Sequence, residues 1–122
     1  MMDTVHPSPA GTTETDALQK RMADLRVRFI ERTRRDADVV RELRERWDLE
    51  GYGSTAVVKE IARTVHSLSG AAGVFGFNAI SDAAHRAELG LLRFESGTED
   101  PRVLLDALHK EMELLWAKQD AA

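Results

Sequence analysis

The sequence predicts an all-α protein, an antiparallel up-down four-helix bundle behind a disordered N-terminal tail. Three observations predict it. Apolar residues recur every third or fourth position in four separate stretches. No stretch alternates apolar and polar residues as a half-buried strand would. The stretches are separated by short connections built on glycines or an Asp-Pro pair, so consecutive helices should pack side by side.

Residues 1–14 hold Pro7, Ser8, Pro9, Gly11 and several threonines with little that is apolar. Such a composition cannot offset the entropy of ordering, so a flexible tail is expected over 1–14 and the bundle over 15–122. Between Asp16 and Trp47, Leu18, Met22, Leu25, Phe29, Ala37, Val40, Leu43 and Trp47 form one helical stripe, with Thr33 filling its gap. This is one long helix or two nearly collinear pieces, ended by Gly51 and Gly53, with Ser54 or Thr55 capping the next. The second helix buries Val57, Val58, Ile61, Val65, Leu68 and Ala72 and should fail between Gly73 and Gly76. Asn78 is the expected N-cap of a third helix with the stripe Ile80, Ala84, Ala87, Leu91 and Phe94, closed by Gly97. Asp100 before Pro101 reads as a cap with proline at the first helical position. Leu104, Leu108, Met112 and Leu115 then mark the last helix, with Trp116 beside them. Leu89, Leu92 and Leu105 fall off these stripes and are expected nearer the surface.

At 122 residues the chain is one domain, long enough to bury a core without staples. It has no cysteine, which removes disulfides, thiolate metal sites and cysteine nucleophiles together. The formal charge is −4, so no overall basic field attracts nucleic acid. No apolar run approaches the roughly 20 residues that span a bilayer, and no basic-then-apolar leader opens the chain. The expectation is a soluble cytoplasmic protein with no membrane and no nucleic-acid partner.

The chemistry concentrates in His66-Ser67-Leu68-Ser69-Gly70-Ala71-Ala72-Gly73-Val74-Phe75-Gly76-Phe77. His66 is one residue past the core position Val65, rotated about 100° from it. Gly70, at i+4, is a bare patch on the same face, and glycine inside a helix costs about 0.5–1 kcal/mol relative to alanine. A neutral imidazole is a competent nucleophile near neutral pH. Lys59, Ala62, Arg63, Ser69 and Gly73 share its flank, basic before the histidine and short of bulk after it.

This stretch resembles the signature of histidine-containing phosphotransfer (HPt) domains, which run roughly His-x-Leu-Lys-Gly with a further glycine about six residues on. The resemblance reaches from about Leu18 to Trp116, with specific matches at His66, Leu68, Gly70 and Gly76. It implies a four-helix bundle without independent catalytic activity. His66 would accept a phosphoryl group from a receiver-domain aspartate and pass it to another receiver domain. The partners implied are receiver domains of response regulators or hybrid histidine kinases. No cofactor or metal ligand is expected in this chain, magnesium belonging to the receiver. Ala62, Gly70 and Gly73 would take part in docking. The chain departs from the family pattern at Ser69, where lysine is usual and its charge can meet the phosphoryl group. Arg63, Ser69 and Lys59 are the candidates to stabilise that group.

Other readings stay open. Without phosphorylation, the same face would serve a binding module that docks or sequesters a kinase or response regulator. A di-iron bundle would need Glu-x-x-His pairs, and the chain has none, His85-x-x-Glu88 having the reverse order. The arginines of the first helix are interleaved with acids, as in Glu31–Arg35 and Glu42–Arg46, and read as a solvated ion-paired face. His85 sits at the edge of the third helix, His109 reads as solvated, and His6 falls in the tail.

Overall fold

Proline is tolerated in the first turn of a helix, where its missing N–H has no partner to lose, and Pro9 opens the first helix here. The computed structural model describes residues 9–50, 55–94 and 100–121. They form α1 (Pro9–Glu50), α2 (Thr55–Val74), α3 (Asn78–Leu92) and α4 (Arg102–Ala121). The long first stretch is thus one helix of 42 residues. It starts within the segment expected as a tail, so 9–14 are helical, and 1–8 lie outside the described residues. Gly51, Gly53, Ser54 and Gly97, expected to end or cap helices, lie outside them too.

Each helix packs on its sequence neighbours, and α4 returns to α1; among the described residues no diagonal pair touches in this way. That closed ring is the up-down topology expected from the short connections. The core runs through Trp47, Ile61, Leu68, Leu91 and Leu108, all fully buried. Burial stabilises each such aliphatic side chain by about 1.5–3 kcal/mol. At one end Phe29 packs between Phe75 and Phe77, with ring centroids 5.6 and 5.3 Å away. At the other, Trp47 meets the edge of Phe94 at 5.3 Å. Thr33 is buried without penalty because its hydroxyl donates to the Ile30 carbonyl at 2.6 Å and accepts from the Trp116 indole at 2.8 Å.

The stripe of α1 does not stay buried along its whole length. Leu18 and Met22, expected in the core, are exposed, because α1 outruns the helices that would cover them. Leu105, expected nearer the surface, is buried, whereas Leu92 is exposed as its off-stripe position suggests. Arginines of α1 reach across to other helices, Arg44 to Asp106 at 2.6 Å and Arg34 to Asp120 at 2.8 Å. Arg32 forms its ion pair within the helix, with Asp36 at 3.2 Å, and also reaches Ser67 of α2.

The turn after α2 explains its glycine. Gly76 sits at φ +78°, a left-handed conformation that only glycine adopts without strain. The N–H of Phe77 then donates to Ala72 O at 2.9 Å, and that of Gly76 to Gly73 O at 3.2 Å. Together these form the Schellman closure of a helix C-terminus. Asn78 is not the cap expected of it: it is the first residue of α3, and the capping position belongs to Phe77, with no side-chain cap bond. The Asp100-Pro101 reading holds in part: the Asp100 carboxylate accepts from the Arg102 N–H at 3.0 Å, but Pro101 stands just before the first residue of α4, Arg102. One close approach had no visible signal: a Cβ on Gly90 would come within 2.5 Å of a Leu104 methyl, where α3 meets α4.

Candidate functional site

Helical spacing places Lys59, Arg63, His66 and Gly70 in one row on the outer face of α2, and all four are exposed. The His66 side chain is 73% exposed, so the imidazole stands in reach of a macromolecule. Its ring leans across to α3 and not back over Ala62 and Arg63 as helix geometry alone suggests. His66 Nδ1 lies 2.7 Å from an Oε of Glu88, whose side chain is only 16% exposed. An ionised carboxylate can only accept, so the proton of a neutral His66 resides on Nδ1 and the lone pair on Nε2. Glu88 therefore selects the tautomer and orients the ring. His85 stands near the same carboxylate, its Nδ1 3.8 Å from the other oxygen of Glu88.

Behind the histidine, α2 and α3 are joined by a reciprocal pair of hydrogen bonds. The Ser69 hydroxyl donates to Ser81 O at 2.9 Å, and the Ser81 hydroxyl donates to Ser69 O at 2.9 Å. The hydroxyl expected to meet a phosphoryl group is thus engaged, its one proton held by the Ser81 carbonyl. Ala62 is buried and lines a small cleft with Val58, Lys59, Leu91, Leu92 and Phe94. Gly70 and Gly73 remain exposed. A Cβ on Gly70 would meet nothing within 4 Å, and one on Gly73 only the Ser81 hydroxyl at 3.5 Å. Neither glycine is needed for internal packing. Arg63 and Lys59 are exposed cations that the described ion pairs do not engage. On the α1 side, Arg32 donates to the hydroxyl of Ser67, next to the histidine.

Sequence reasoning missed Glu88 and Ser81. The available signal was the row Ile80, Ala84, Glu88, which carries a carboxylate from a core stripe onto its edge.

An exposed imidazole with a fixed tautomer, on a four-helix bundle, is the arrangement to which the family comparison speaks. The family model of the Hpt domain matches residues 24–118. The chain belongs to the Hpt domain family. No individual curated protein and no solved structure matched it. Hpt domains are phosphotransfer modules of two-component signalling, carriers more than catalysts, and they work with receiver domains. In this Hpt domain no described helix is long and apolar enough to cross a membrane. Among its described residues no cluster of three His, Cys, Asp or Glu side chains suits a metal ion.

Proposed function

We propose that this Hpt domain is a cytoplasmic phosphorelay carrier whose phosphoacceptor is Nε2 of His66. The observation that carries the reading is the 2.7 Å contact between Nδ1 of an exposed His66 and a largely covered Glu88. The Nε2 lone pair attacks the phosphorus of a receiver aspartyl phosphate. A P–N bond forms, the P–O bond to the aspartyl group breaks, and the receiver's carboxylate leaves with the electron pair. The Nδ1 proton stays in place, and the positive charge that appears on the ring is balanced by Glu88. Reversal of these steps delivers the phosphoryl group to a second receiver. Arg63, at i−3 from His66, and Lys59 are the cations placed to meet the phosphoryl oxygens, since Ser69 is occupied by α3. Gly70 and Gly73 leave room for the receiver to approach, and any magnesium is held by the receiver.

The test is phosphoryl transfer from a labelled receiver domain to the wild-type chain and to His66→Gln. Acid-labile label on the wild type and none on the variant is the expected result. Retained receiver binding without label on the wild type, across a panel of donors, overturns it in favour of a docking module.

A further inference from the structure

By its residue count α1 is about 63 Å long, against about 30 Å for α2 and α4. It therefore projects past the end of the bundle formed by the Gly76 turn and the C-terminus of α4. Every side chain from Thr13 to Asp24 is exposed. Yet this is not the surface of a merely solvated helix. Leu18, Met22 and Leu25 continue, at coiled-coil spacing, the stripe that Phe29 carries into the core. Leu18 is 63% and Met22 40% exposed. At the base of the projection lie two adjoining clefts of about 490 and 410 Å³, which share Phe77, Leu115 and Lys118.

We infer that the projection is a dimerisation arm, covered by the same segment of a second copy running antiparallel to it. The inference does not rest on the phosphotransfer reading. Charge selects both the occupant and its direction. The outer part of the arm carries Glu14 and Asp16; the inner part carries Lys20, Arg21, Arg26 and Arg28 against the single acid Asp24. At the clefts Arg26 and Lys118 stand against one acid, Glu111. A parallel pairing sets like charge on like. An antiparallel pairing, with its two-fold axis near Met22, lays each acidic tip over the partner's basic base and brings Leu18 against Leu25. The tip then reaches the clefts beside Phe77. The contact is isologous, so it closes at two chains.

Sedimentation equilibrium over about 5–500 µM, in low salt and in about 0.5 M salt, tests this. The mass should climb from 13.6 kDa toward twice that value, with weaker association in high salt. The double variant Leu18→Gln, Met22→Gln should associate at least about tenfold more weakly, since it removes apolar side chains from the seam and adds no charge. Both sites are exposed, so its helical circular dichroism should match the wild type. The chain has no cysteine, so single substitutions report direction: Met22→Cys should cross-link to itself, and Thr13→Cys should not. A monomer at every concentration, a dimer indifferent to the double variant, or self-cross-linking at Thr13 equal to that at Met22 would each overturn the inference.

Discussion

Gly70 is a position where stability and function should separate. It lies inside α2, one turn after His66, and an added Cβ meets nothing within 4 Å. Gly70→Ala therefore meets no steric penalty and gains the helix preference of alanine, about 0.5–1 kcal/mol. With an unfolding entropy of about 2.1 cal/mol/K per residue over the chain's 122 residues, that gain raises Tm by about 2–4 °C. If glycine is there to admit a receiver domain, the same methyl group stands on the landing surface and slows transfer, by about tenfold for 1.4 kcal/mol lost in the docked complex. Thermal and urea unfolding followed by circular dichroism give the first quantity. Single-turnover transfer from a phosphorylated receiver gives the second. A variant that is more stable and transfers at the wild-type rate would refute the docking role. One that is less stable would refute the open space seen around the residue.

Gly76→Ala should behave in the opposite way, losing about 1–2 kcal/mol in urea unfolding because a Cβ is strained at φ +78°. At Glu88 the two obvious variants should differ: Glu88→Gln keeps an acceptor for Nδ1–H but no charge, and Glu88→Ala keeps neither. Transfer rates ordered wild type, Gln, Ala, with at least about tenfold lost in the last, fit the tautomer role; equal rates for all three would end it. Burial raises the carboxyl of Asp36 above its ordinary 3.8, opposed by the charge and hydrogen bond of Arg32. A carboxyl raised in the folded state favours folding while protonated, and that advantage fades as pH rises from 3.8 through the raised value. The stability of the wild type relative to Asp36→Asn should therefore fall as pH climbs through that window, as urea titrations at a series of pH values will show.

Most of the fold was legible because helical periodicity reports burial directly. His66 could be read as a surface histidine because it sits one residue past Val65, and Gly76 as a turn because little else stops a helix so sharply. What was not legible depends on two helices at once. Glu88 and Ser81 take their meaning from residues on α2, and nothing in the order of the chain aligns α3 against it. Ser69 looked free to donate until its partner was known, and Ala62 looked accessible until α3 covered it. Leu105 was misplaced because a four-helix core accepts side chains wider of the stripe than a single face suggests. The exposure of Leu18 and Met22 was hidden for a different reason: periodicity shows which side of a helix is apolar, not where its neighbours end.

The paired serines carry a consequence for the missing lysine. Position 69 is where the family resemblance places a charge, and here it works as a rivet. Its two bonds lock the sliding coordinate between α2 and α3, the coordinate that also sets the span from His66 to Glu88. Installing lysine would add a cation and remove the bond that the Ser69 hydroxyl donates, leaving only the one that the Ser81 hydroxyl donates to the backbone carbonyl of residue 69. Charge and alignment meet at one residue, so a single substitution toward the usual pattern gains a cation and halves the hydrogen bonding between α2 and α3 at this point.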